Sequence, residues 1–184
     1  MADGLFYNDL REPFFATDIA TVTLASTNKA LYGTSDFPVL GGNYFARPGK
    51  KLRMRGWGKL TTGATPGNLT FALLYGSGAD ATGVSLQTTA AATLIAGQTN
   101  ASFDFEIALR CVSKGNAGTI EAWMKFYFAT SVIAAGVIQG PASALVVSAA
   151  CDLTAANIIS LQAARSGSTA ETMTIQDLDV IAMN

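Results

Sequence analysis

Apolar and polar side chains alternate with period two along this chain, in short runs separated by Gly, Asn, Pro and Asp, which is the pattern of half-buried β-strands. Residues 102–110 are the clearest case: Phe103, Phe105, Ile107 and Leu109 fall on one face, and Asp104, Glu106 and Arg110 on the other. In residues 119–128, Ile120, Ala122, Met124, Phe126 and Phe128 oppose Glu121, Trp123, Lys125 and Tyr127. Residues 51–60 set Lys51, Arg53, Arg55, Trp57 and Lys59 against Leu52, Met54, Gly56, Gly58 and Leu60. Further strands are predicted at 19–24, 69–75, 85–95, 144–150, 157–164 and 171–182. Turns are predicted at Gly63, Gly76 to Gly78, Gly97, Gly115-Asn116, Gly140-Pro141 and Gly167-Ser168. This spacing predicts an all-β chain folded as an antiparallel β-sandwich, jelly-roll-like, rather than βαβ units. The alanines of 154–164 favour helix intrinsically, but β-branched Ile158 and Ile159 argue for strand.

Residues 1–17 break the period. Phe6, Tyr7, Phe14 and Phe15 stand there among Asp3, Asp9, Arg11 and Glu12, with Pro13 limiting regular structure. The expected organisation is an N-terminal arm (1–17) followed by one domain (18–184). The arm either packs along its own sandwich or docks its aromatics on a neighbouring subunit.

Composition narrows the function. The 184 residues are 49% hydrophobic but only 14% charged, against about 25% charged in an ordinary soluble domain. With 12 basic and 13 acidic side chains the molecule as a whole has no bias toward nucleic acid or anionic membranes. There is no histidine, which removes Ser-His-Asp triads, Cys-His dyads and His-bearing metal sites. Cys111 and Cys151 are too few for a zinc cluster and read as two buried small hydrophobes. The uncharged stretch 126–151 is long enough to span a bilayer, but Gly140-Pro141 breaks it, so no membrane partner is expected. The first residues lack a basic and then apolar leader, which predicts synthesis and folding in a cytoplasm.

Candidate catalytic patterns are incomplete. Gly49-Lys50 lacks the following Ser or Thr of a phosphate loop, and Ser26-Thr27-Asn28-Lys29 has no companion motif. Asp104 and Glu106 share a strand face at a spacing that suits two catalytic carboxylates or a calcium ligand pair, though solvated strand charges have the same pattern. No cofactor, metal or catalytic residue is assigned. The constellation with clear electrostatic meaning lies at 47–59, where Arg47, Lys50, Lys51, Arg53, Arg55 and Lys59 make up half of the basic residues with no acid among them. Lys51, Arg53, Arg55, Trp57 and Lys59 form a basic ladder with an aromatic inside it. The ladder could be a structural face, solvated or paired to neighbouring strands, meet an acidic protein surface, or track phosphates with Trp57 stacking a base.

The C-terminal third carries a resemblance. Asp152, Thr154, Ala156-Asn157, Ile159, Leu161 and Ala163, then the small-residue turn at Ser166-Gly167-Ser168, then Thr172, Thr174, Leu178 and Val180, resemble the closing strands of small jelly-roll virion proteins of tailed bacteriophages. The Pro48-Gly49-Lys50 turn and the run Asn68 to Gly76 are similar too, and Glu171 stands where Asn is common in that family. The resemblance implies a jelly roll, often trimeric, on a capsid or tail, with no catalytic residue. The expected function is that of a non-enzymatic capsid decoration or cement protein on the virion surface. Its partners would be the major capsid protein and itself, in a homotrimer; nucleic acid is not expected. Capsid or subunit contacts are expected from Phe6, Tyr7, Phe14, Phe15, Lys51, Arg53, Arg55, Trp57 and Lys59. The alternative is a tail or head fibre module that binds a host-surface glycan, for which Trp57, Trp123 or Tyr127 should line a groove.

Overall fold

The strongest alternations become the longest strands. A computed structural model describes residues 21–32, 39–77, 79–141 and 144–183. In chain order its strands are β1 (Val22–Thr23), β2 (Lys29–Ala30), β3 (Lys51–Thr61), β4 (Asn68–Gly76), β5 (Val84–Thr88), β6 (Ala92–Thr93), β7 (Ala101–Ser113), β8 (Thr119–Phe128), β9 (Val137–Gly140), β10 (Ile158–Arg165) and β11 (Thr172–Met183). They pair antiparallel in two sheets. One has the order β1-β11-β3-β7-β8-β9; the other runs β2-β10-β4-β5, with β6 also on β4. The described residues are therefore an all-β antiparallel sandwich of the jelly-roll-like kind, and the run predicted at 157–164 is a strand, at Ile158–Arg165, as β-branching argued.

The two inner faces form the core. Leu52, Met54 and Leu60 of β3, the four apolar residues of β7, the five of β8, and Met173, Ile175, Leu178 and Val180 of β11 are buried against Leu69, Phe71, Leu73 and Tyr75 of β4 and Ile159, Leu161 and Ala163 of β10. An aromatic seam joins the sheets: Phe71 stacks on Phe126 with centroids 3.7 Å apart, and Phe126 and Phe128 lie 5.7 and 5.3 Å from Phe105 and Phe103. Gly56 and Gly58 make room for that seam. Both occupy inward positions of β3, directly opposite Phe105 and Phe103, and a Cβ on either would come within 3 Å of the facing ring.

Three expectations need correction. Residues 144–150 are not a strand: Val147 makes one isolated bridge to Glu121, and Ser148 donates its N–H to Ile120 O (2.8 Å) while its Oγ accepts from Ile120 N–H. β9 pairs β8 at Met124–Tyr127, the segment returns to that edge only at Glu121 and Ile120, and the side chains of Leu145, Val146 and Val147 are left exposed. Residues 85–95 divide into β5 and β6; between them Thr89 donates its N–H to Phe71 O and its Oγ1 accepts from Phe71 N–H (2.9 Å each), so a side chain takes one of the ladder's places. Of 19–24, the described residues contain only the two-residue β1.

Two local devices close the sandwich. Tyr32 donates its hydroxyl to Ile159 O (2.7 Å) and accepts from Leu161 N–H (3.0 Å), completing the β10 backbone where β2 is too short to do so. Full burial pushes that phenol well above its ordinary range. At the β10–β11 turn, the Arg165 Nε sits 2.7 Å from the carboxylate of Glu171, which is wholly buried and also accepts from Thr169 Oγ1 (2.5 Å).

Candidate functional site

The outer face of the six-stranded sheet gathers most of the residues the sequence singled out. Strand alternation turns Lys51, Arg53, Arg55, Trp57 and Lys59 outward together. β3 is a central strand, however, with β11 and β7 beside it, and those neighbours bring carboxylates to the ladder. Arg53 and Arg55 both reach Glu106, the latter at 3.4 Å, and Arg110 pairs with Glu121 at 2.5 Å. Lys51, Arg53, Arg55, Lys59, Arg110 and Lys125 share this face with Asp104, Glu106, Glu121, Asp177 and Asp179, so its charge is nearly balanced. Each exposed pair contributes only about 0–1 kcal/mol to stability. Their main effect is to cancel the long-range field that a bare basic stripe would project. Phe6, Tyr7, Phe14 and Phe15 lie outside the described residues.

Cross-strand register sets a second arrangement on the same face. Asp177 of β11, Trp57 of β3, Asp104 of β7 and Tyr127 of β8 stand side by side in one row. Asp177 joins that row because of a β-bulge between Ile175 and Asp177, which inserts Gln176 and moves the inward positions from Met173 and Ile175 to Leu178 and Val180. Strict period two would have turned Asp177 and Asp179 into the core.

Trp57 and Tyr127 line a shallow groove of about 270 Å³ together with Asp104 and Ser102. Trp57 is 47% exposed. Among the described residues Asp104 makes no ion pair, in contrast to Glu106, one step along the same strand face and held by two arginines. Lys125 places its ammonium 4.7 Å from the Tyr127 ring centroid, and it does not line the groove. Trp123 lies elsewhere, walling a separate depression of about 290 Å³ above the small side chain of Ala108. A third hollow, about 450 Å³, runs between residues 90–93 and 133–139 and is lined mainly by alanine and other apolar groups. Asp104 and Tyr127 were visible in the sequence as outward residues of their strands; their meeting with Trp57 depends on register.

Other candidates resolve into structural roles. Asp80 accepts from Lys29 Nζ (2.7 Å) and Ala30 N–H (2.8 Å), and these bonds hold its carboxyl below the usual range. Lys29 of the SxxK pattern is thus committed to an ion pair. Gln162, buried in β10, accepts from Ala81 N–H and donates to Ala79 O (3.0 Å each), so residues 79–82 are fastened over the outer side of that strand. Cys111 and Cys151 are free and buried, and burial raises both thiols above their ordinary range. Burial pushes the Tyr44 phenol up to about 12, with Lys50 Nζ 5.1 Å from its ring centroid. Among the described residues no group of three His, Cys, Asp or Glu side chains is placed to hold a metal ion.

No family model matches the chain, and no curated relative matches it. Among solved structures it is similar to the metal-free form of lectin I-B4 from Griffonia simplicifolia, at 12% identity and a TM-score of 0.37 over 97% of each chain. A likeness at that level says nothing about ligand or partner.

Proposed function

We propose that this chain is a non-enzymatic structural protein of a tailed-bacteriophage virion, a capsid decoration or cement protein that occupies the head surface as a homotrimer. The observation that carries the reading is an exposed aliphatic run at a sheet edge. Leu145, Val146 and Val147, at 55, 60 and 42% exposure, follow β9, the last strand of its sheet, and lie along the same edge of β8. An apolar run beside an open edge is an aggregation hazard unless another protein surface covers it. Repetition of such a contact around a symmetric particle supplies avidity without strong single contacts. The closing strands β10 and β11, joined by a small-residue turn, also have the order that the virion resemblance implies.

On this reading the major capsid protein and sister subunits are the partners. The charge-paired outer face supplies a polar rim, and Phe6, Tyr7, Phe14 and Phe15 supply further apolar anchors. The test is to mix the purified protein with heads that lack it, measuring its mass in solution by light scattering and its occupancy by electron microscopy. The expected result is a soluble trimer and regularly spaced copies on the shell. A stable monomer at micromolar concentration that leaves the heads bare would overturn the proposal.

The glycan-binding fibre module is a second reading, favoured by one observation: Trp57 and Tyr127 line a common groove.

A further inference from the structure

We infer that the groove between Trp57 and Tyr127 is a binding site for one neutral sugar ring, with Trp57 as the stacking platform and Asp104 and Ser102 as the hydrogen-bonding floor. The inference deepens the glycan-binding reading and does not depend on where the protein sits on a particle.

Geometry limits the ligand's size. Trp57 and Tyr127 are in register on strands two apart, with Asp104 between them. At about 4.8 Å per strand, their Cα atoms are about 9.6 Å apart. A saturated ring in van der Waals contact with the side chains at both ends, at about 3.5–4.0 Å each, takes up about 7–8 Å, so one ring fits and two do not. The volume, about 270 Å³, lies just below the about 300–1,000 Å³ typical of sites for drug-sized ligands.

Charge selects the ligand's class. A cation finds only one open ring, because the Tyr127 ring already carries the Lys125 ammonium. An anion would meet the Asp104 carboxylate, with Asp177 on the far side of Trp57 and, among the described residues, no cationic side chain lining the groove. A neutral polyhydroxylated ring avoids both penalties. Its C–H face covers the indole, and its hydroxyls donate to Asp104 and exchange hydrogen bonds with Ser102 Oγ. The site is shallow and open, so weak affinity for a single ring, raised by multivalency in an oligomer, is the expected behaviour.

The experiment is saturation-transfer NMR on the full chain with methyl glycosides of neutral hexoses and N-acetylhexosamines, one at a time at about 20 mM, with choline and glucuronate run in parallel. At least one neutral glycoside should bind. Trp57→Ala and Asp104→Asn should each weaken it by about tenfold or more, while Trp123→Ala, in the other depression, stays within about twofold. Both substitutions are at outward positions, and circular dichroism verifies that the variants fold. Failure of every neutral glycoside, preference for choline or glucuronate, or indifference to Trp57→Ala would each overturn the site. Particles carrying Trp57→Ala separate this from the fibre reading. Intact sugar binding by the isolated wild-type protein, together with normal adsorption of those particles to host cells, would overturn host recognition and leave the site standing.

Discussion

Replacing Arg165 by Met would strand a carboxylate inside the protein. Glu171 is wholly buried, and Arg165, itself only 15% exposed, is its ionic partner; with Arg165 removed, the Thr169 hydroxyl is the remaining donor shown to its carboxylate. Breaking a buried pair by removing one member costs about 3–5 kcal/mol, a large part of the roughly 5–15 kcal/mol that stabilises an ordinary domain. At about 2–4 °C per kcal/mol for a chain of this size, the melting temperature should fall by about 6–20 °C. Glu171→Leu should cost less, because Arg165 keeps the carbonyl oxygens of Leu24 (3.0 Å) and Gly167 as acceptors. The double variant Arg165→Met/Glu171→Leu removes both charges and should recover to within about 1 kcal/mol of the wild type. Urea unfolding followed by tryptophan fluorescence gives all four corners of the cycle, provided the denaturant slope stays constant. A loss below about 1 kcal/mol for Arg165→Met, or a double variant as poor as the two losses added, would refute this account.

Three further outcomes follow from the buried groups and loops. Tyr32→Phe leaves Ile159 O and Leu161 N–H short of a partner inside the protein and should cost about 1–3 kcal/mol in the same unfolding assay; an unchanged midpoint would show that water replaces the hydroxyl. Iodoacetamide at about pH 8 should leave Cys111 and Cys151 unmodified in the native protein and label both in urea, because burial disfavours the reactive thiolate; rapid native labelling would contradict their burial. Asp80 is held below its ordinary value by Lys29 and Ala30, so its contribution is complete above about pH 3.9 and is lost as pH falls through the lowered value. Hydrogen exchange at the Ala30 amide, corrected for intrinsic rate, should be flat at neutral pH and rise in acid, and Asp80→Asn should show the faster rate at every pH; a wild-type rate that stays flat into acid would sink it.

Strands β3, β7 and β8 were legible in the sequence because each has one dry face and one wet face, and period-two alternation writes that environment directly into residue order. The sandwich class follows from the number and spacing of such runs. Strand 158–165 was legible in spite of its alanines, since β-branched Ile158 and Ile159 outweigh their helix preference. What lies between strands was not. Alternation fixes the face on which Trp57, Asp104 and Tyr127 stand, but not which residue of one strand sits opposite which residue of another, and that register creates the groove. Register also decided the fate of the basic ladder: residue order leaves Arg53 and Arg55 solvated, paired to neighbouring strands or aimed at a partner, and β7 brings Glu106 to both. The bulge at Gln176 has a trace in residue order, since the apolar positions shift from Met173 and Ile175 to Leu178 and Val180, but only the pairing with β3 shows that Asp177 and Asp179 therefore reach the outer face. Residues 144–150 have the composition of a strand, but only Val147 and Ser148 meet the edge of β8, beyond the stretch that β9 pairs, and one bridge does not make a ladder. Glu171, an oddity against the resembling family, became intelligible only when the turn folded Arg165 onto it, because a buried charge is tolerated by its partner in space and not by its neighbours in sequence.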